Sequence, residues 1–174
     1  MSECKSIDVR LTTCAVEQID DDRFALSEAN PDGFFSDLTN ENACSVAVAV
    51  RVRPLISREL HEGTRKECVF PVEDDHRQQQ LQISGKRFNF DSVFFSDERQ
   101  EVIFDKCARN LILGCFYGYN ATILAYGQTG SGKTHTMGTG CTIGIPFDQV
   151  GIVPRVFKFI FEELEARKAQ SEYS

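Results

Sequence analysis

No CxxC pair occurs among the seven cysteines, Cys4, Cys14, Cys44, Cys68, Cys107, Cys115 and Cys141. Their odd number and irregular spacing argue against a disulfide framework or a paired-cysteine zinc site, and a reducing compartment suits them best. Also missing are a basic and apolar leader and any long hydrophobic stretch. The longest unbroken apolar run, Val46 to Val50, falls far short of the roughly 20 residues a spanning helix needs, so the chain is expected to be soluble and not secreted. There is no basic excess either. The formal net charge is -7, which argues against a nucleic-acid binder that works by neutralising phosphates. All of that excess sits in residues 1–44, and the remainder is balanced. No internal repeat is visible.

What is present fits an ordinary globular protein: 41% apolar and 26% charged residues over 174 positions. A chain of this length forms one domain and, when compact, buries roughly 70% of its unfolded surface. Residues 1–44 carry the acidic run Asp20, Asp21, Asp22 and the turn signal "NPDG" at 30 to 33 without a sustained period. They are expected to be a poorly ordered acidic extension. The alternatives are docking of Phe34 and Phe35 on the domain, or an edge strand over Ile7 to Leu11.

From residue 45 the texture changes. "SVAVAVRVRPL" alternates valines at 46, 48, 50 and 52 with small or basic residues until Pro54 stops it, which predicts a strand. "ECVFPV" at 67 to 72, "LQIS" at 81 to 84 and "RFNFDSVF" at 87 to 94 read as further strands, with a solvated loop over 73 to 80. From Asp97 to Tyr117 the period becomes helical. Ile103, Cys107, Leu111 and Cys115 recur every fourth residue, Ser96 or Asp97 offers a cap, and Gly118 offers a stop. "ATILAY" at 121 to 126 reads as a buried strand. A last helix is expected through Val153, Val156, Phe157, Ile160, Phe161 and Leu164, with Pro154 in its first turn and one face on a sheet. Alternating strands and helices predict an α/β fold with a partly parallel sheet.

Directly after "ATILAY" comes "GQTGSGKT", residues Gly127, Gln128, Thr129, Gly130, Ser131, Gly132, Lys133 and Thr134. This is the phosphate-loop pattern GxxxxGK[ST]. Glycines permit positive φ and close backbone approach, so successive amide hydrogens can turn inward around phosphate oxygens. Lys133 would reach the β and γ phosphates, and the Thr134 hydroxyl would complete the shell of a magnesium ion bridging them. The loop alone names a superfamily of nucleotide proteins and no function.

The flanks are more specific. "VAVRVRPL", "FDSVF", "GYNAT", "AYGQTGSGKTHTM" and "GIVPR" follow in order, and from about residue 45 to 168 the chain resembles the motor head of a kinesin, with "MGTG" and "GIVPR" pointing to a chromokinesin-like class. The resemblance implies a P-loop NTPase fold, a central sheet flanked by helices, present only in part: residues 45–174 match the N-terminal part of the motor domain. It implies ATP with Mg2+ as cofactors and microtubules as partner, in the cytoplasm on the cytoskeleton. It also places Arg51, Arg53, Pro54, Tyr119 and His135 around the adenine, and Gly138 to Gly151 as an insertion interrupting the helix that the loop begins. The later switch patterns of the family, NxxSSRSH and DxxGSE, do not occur in these 174 residues. The full-length protein is therefore expected to be an ATPase motor, whereas this fragment alone would lack efficient turnover. A non-catalytic nucleotide- or partner-binding module is the alternative. An ordinary GTPase or small-molecule kinase is a more remote one, since the guanine signature NKxD is missing and the flanks would go unexplained.

Overall fold

A computed structural model describes residues 7–18, 46–55, 57, 69–72, 79–138 and 144–172. The acidic run, the "NPDG" turn, Phe34 and Phe35, the loop core 73–78 and Cys4, Cys44, Cys68 and Cys141 lie outside them. Among the described residues seven strands form two sheets. The larger holds β1 (Ile7–Gln18), β2 (Val46–Val52), β6 (Ser92–Phe94) and β7 (Tyr119–Tyr126) in the order β6-β2-β1-β7. The smaller holds β3 (Val69–Pro71), β4 (Gln80–Ile83) and β5 (Lys86–Asn89) in sequence order.

Strand β2 organises the core because both of its faces are covered. Ala49 joins Phe94, Ile103, Phe104, Cys107, Ala108 and Ile152 on the helical side, while Val50 and Val52 join Val69, Leu81 and Val93 on the other. The valine alternation seen in the sequence is therefore one face of a two-faced strand. β2 runs parallel to β6, with Val50 opposite Val93. The strand stops before Arg53 and Pro54, where the imide nitrogen has no ladder donor to offer.

Three expectations about the strands change in the structure. Residues 7–18, expected at most to supply an edge strand over Ile7 to Leu11, form an inner strand: Thr12 sits opposite both Val48 of β2 and Leu124 of β7, antiparallel to each. Backbone pairing needs no apolar alternation, so the sequence period gave no sign of it. "RFNFDSVF" is two strands in two sheets. Asp91 hands the chain over, its Oδ2 accepting from Val48 N at 2.7 Å and its N donating to Val48 O at 3.0 Å. "ATILAY" is covered on one face only: Ile123 and Ala125 pack on the helical core, while Leu124 and Tyr126 are 60% and 72% exposed.

The helical stretch begins at α1 (Gln100–Phe104), passes through a π-helical turn over Asp105–Arg109, and continues as α2 (Asn110–Cys115). Its N-cap is Arg99 without a side-chain cap bond, in place of Ser96 or Asp97. Gly118, at φ +87, ends it as expected. The extra residue of a π turn rotates the apolar stripe, so Gly114 faces inward and Cys115 is exposed. Cys107 stays in the core, where burial pushes its thiol up to about 11 and keeps it unreactive.

Beyond the phosphate loop lie α3 (Lys133–Met137) and α4 (Ile152–Glu172). α4 packs through Ile152, Val156 and Phe159, the last edge-on to Phe104 with ring centroids 5.9 Å apart. Phe157, Phe161 and Leu164, read from the spacing as core-facing, are 59%, 61% and 47% exposed. Periodicity finds a stripe, but the contact actually made is centred on the neighbouring one. Among the described residues no helix is long and apolar enough to cross a membrane.

Candidate nucleotide site

Strand β7 delivers the chain to the loop at Tyr126, and Gly132 starts α3 at the loop's far end. Two glycines make the reversal possible. Gly130 has φ +83 and Gly132 φ +99, both in the left-handed region where a side chain is strained. A turn inside the loop is closed by Ser131 N donating to Gln128 O at 3.2 Å. Lys133 lies back over the loop, its Nζ donating to Gly127 O at 2.8 Å and Gln128 O at 2.7 Å. An ammonium has three donors, so these two carbonyls do not exhaust it. Ser131 Oγ is fully enclosed with no hydrogen-bond partner, and Thr134 is exposed on the first turn of α3. Glycine backbone, a held cation and a free hydroxyl on one short turn are the donor set that an anionic polyphosphate requires.

Behind this loop lies a polar cluster that the sequence did not announce. Arg51 points from β2 into the interior and is only 8% exposed. Its Nη1 donates to Thr136 Oγ1 of α3 at 2.9 Å and to Gln100 Oε1 of α1 at 3.1 Å. Burial lowers its pKa and the Glu98 charge opposes that. Gln100, itself 3% exposed, turns its amide nitrogen to His135 O at 2.9 Å, His135 Nδ1 at 3.2 Å and Gln149 O at 3.4 Å. The structure thus joins Arg51 and His135, both expected at the adenine, through Gln100 and Thr136, which the sequence reading missed. A polar residue at a helix start carries no periodic signal, so nothing marked Gln100 in advance.

Three expected residues remain, Arg53, Pro54 and Tyr119. Arg53 Nη1 donates to its neighbour Pro54 O at 3.0 Å. Tyr119 begins β7, at the end of the strand opposite Tyr126, which feeds the loop.

The expected insertion is closed by two glycines in backbone contact. A Cβ on Gly138, which has φ +74, would stand 2.8 Å from Gly151 Cα and N. Arg155 of α4, only 6% exposed, binds the returning segment by donating to Val150 O at 2.8 Å and Phe147 O at 2.7 Å. The helix resumes at Ile152, as the "IVPR" reading anticipated.

The kinesin motor domain profile matches residues 51–174. The chain belongs to the kinesin motor family. Curated kinesins agree: kinesin-related protein 8 of Dictyostelium discoideum is 48% identical over 130 residues, 75% of this chain. KIN-4A of Arabidopsis thaliana is 46% identical over 131 residues, also 75% of this chain. The present kinesin segment spans 7% and 12% of the lengths of those two relatives. Among solved structures, Drosophila Kin10/NOD in complex with divalent manganese and ADP is similar at TM-score 0.51 and 29% identity, over 58% of this chain and 34% of that one. A NOD structure docked with bovine tubulin into a map of the nucleotide-free microtubule complex is similar at TM-score 0.52 and 28% identity, over 59% and 35%. The fold is therefore part of a kinesin-type P-loop NTPase, and the family profile match, from residue 51, begins after β1.

The cluster makes stability pH-dependent. Burial, aided by the Arg51 charge, holds the His135 pKa below its ordinary 6.5. Between the two values the unfolded chain binds a proton that the folded one refuses, so stability rises with pH there. The contribution is complete above 6.5 and is lost as the pH falls through the folded value. Melting temperatures recorded between about pH 5 and 7 should fall more steeply on acidification for the wild type than for His135→Gln; parallel profiles would exclude this source.

Proposed function

We propose that this chain is the ATP-binding part of a microtubule-based motor, which as the full-length protein couples ATP hydrolysis to movement along microtubules. Residues 45–174 would form the N-terminal part of the motor domain, with 1–44 as an extension of it. The observation that carries this reading is the loop from Gly127 to Thr134, reversed at Gly130 and Gly132 under the Lys133 ammonium. Support for a nucleotide and a divalent cation comes from the similar NOD structure, which contains ADP and manganese. Support for a tubulin partner comes from the NOD structure set on the microtubule.

In this reading the loop amides of Gln128, Thr129, Gly130, Ser131 and Gly132 surround the phosphates, Lys133 neutralises β and γ oxygens, and Thr134 contributes its hydroxyl to Mg2+. The bound metal would supply charge neutralisation across the two terminal phosphates. What the chain's own residues do is orient and bind: the loop fixes the phosphate tail, and the Arg51 and Gln100 cluster sets the face presented by His135 on the base side, with Arg53 and Pro54 at its rim. Catalytic roles are confined to Lys133 and Thr134. ATP as substrate, cytoskeletal location and efficient turnover are assigned to the whole protein, and the segment by itself is assigned binding.

The test is ATP hydrolysis by the full-length protein with and without microtubules. Stimulation by microtubules in the wild type, lost in Lys133→Ala, is the expected result. Binding of ATP without any stimulation would favour the non-catalytic module.

A further inference from the structure

We propose that Gln100, outside the phosphate loop and the kinesin nucleotide motifs quoted above, is a positioning residue that holds the His135 ring in one orientation, as the tautomer with its proton on Nε2. The proposal rests on the nucleotide reading for its consequence, though its geometric core does not.

The orientation of the Gln100 amide is fixed by its neighbours. Arg51 is a donor only, so the atom 3.1 Å from Nη1 must be oxygen. His135 O and Gln149 O are acceptors only, so the other end must be the NH2 group, at 2.9 and 3.4 Å. That leaves His135 Nδ1 facing two donors, Gln100 Nε2 at 3.2 Å and Arg51 Nη1 at 3.5 Å. A proton on Nδ1 would point at groups without a lone pair. Nδ1 therefore carries no proton and shares the NH2 hydrogen directed at His135 O, and the ring proton sits on Nε2. The charged groups around the ring agree: Arg51 from β2 opposes an imidazolium, and Glu98, before α1, acts on Arg51.

The site matters because the ring itself is exposed while its anchoring nitrogen is tied inward. A base stacking on His135 meets a neutral ring of fixed tilt with Nε2–H as its outward donor. Gln100 touches no phosphate-loop residue among its named partners, and its contact with the base side of the site is through His135. It also holds Gln149 O, so the segment returning into α4 and the base-side histidine share one amide.

The experiment uses the full chain, with 15N-labelled histidine and the His135→Gln variant to assign the signal among the three histidines. In the wild type, Nδ1 should show the unprotonated and Nε2 the protonated signature at neutral pH. In Gln100→Glu the carboxylate can accept a hydrogen bond from Nδ1–H, so the ring proton is expected to move from Nε2 to Nδ1. Gln100→Met, which occupies the space without donating and leaves Nδ1 facing only the more distant Arg51 Nη1, should raise the share of the Nδ1-protonated tautomer above wild type, and it is read in place of Gln100→Glu if that variant does not fold. A wild-type proton on Nδ1, or variants that leave the tautomer unchanged, would overturn the proposal. A second arm compares ATP with inorganic tripolyphosphate. Gln100→Glu should weaken ATP about five- to tenfold, the scale of one lost hydrogen bond, and leave tripolyphosphate binding unchanged. Equal losses for both would make Gln100 a general scaffold residue and overturn the positioning role. If the wild type binds neither ligand, the nucleotide reading fails while the NMR arm still decides the tautomer.

Discussion

Replacing Lys133 by alanine is expected to weaken ATP binding by about two orders of magnitude or more, as read by titration calorimetry. Each charge-assisted hydrogen bond to a phosphate oxygen is worth roughly 1.5 to 3 kcal/mol, and two of them multiply to at least a hundredfold at about 1.4 kcal/mol per factor of ten. The loss should fall on binding and leave folding nearly intact, because the ammonium's protein partners are two backbone carbonyls at the loop mouth, Gly127 O and Gln128 O. Lys133→Arg keeps the charge but replaces a compact ammonium by a planar fork, and should lie between the two. An alanine variant that binds ATP within a few-fold of wild type would remove Lys133 from the site.

Gly151→Ala is expected to be strongly destabilising. Its Cβ would fall within 3.0 Å of three backbone atoms of Met137 and Gly138. Backbone on both sides cannot rotate away as a side chain would, so the overlap must be relieved by moving α3 against α4. Overpacking of this kind costs about 3 kcal/mol, measured by urea unfolding. The control is Gly144→Ala, at φ +96 with nothing within 4 Å of the added carbon. That change carries only the left-handed backbone penalty, about 1 to 2 kcal/mol. Because α3 begins with Lys133 and Thr134, Gly151→Ala should also weaken ATP, whereas Gly144→Ala should not. Equal stability of the two variants would mean that the chain does not close on itself between residues 138 and 151.

These two outcomes differ in how readable they were beforehand. The phosphate loop was legible because its chemistry is local: eight consecutive residues supply the glycines, the cation and the hydroxyl, and no distant partner is needed to recognise them. The resumption of a helix at Ile152 was legible for the same reason. The contact between Gly138 and Gly151 was not, since each is an unremarkable glycine until the chain returns. Likewise Arg51 was marked as a pocket residue, yet its burial and its bonds to Thr136 and Gln100 join positions 85 and 49 residues away.

By itself the sequence determined the phosphate loop, the strand that feeds it, the strand that became β2 and the kinesin-type order of motifs, all of them set by short-range spacing and backbone preference. Only the tertiary structure decided that Ile7–Gln18 fills an inner sheet position, that Phe157 and Phe161 point away from the core, and that Gln100 ties His135 to Arg51. Those facts depend on which surfaces meet after the chain has folded. Hydrogen-bond demand and buried charge are satisfied by whichever group arrives, and a one-dimensional pattern does not record arrivals.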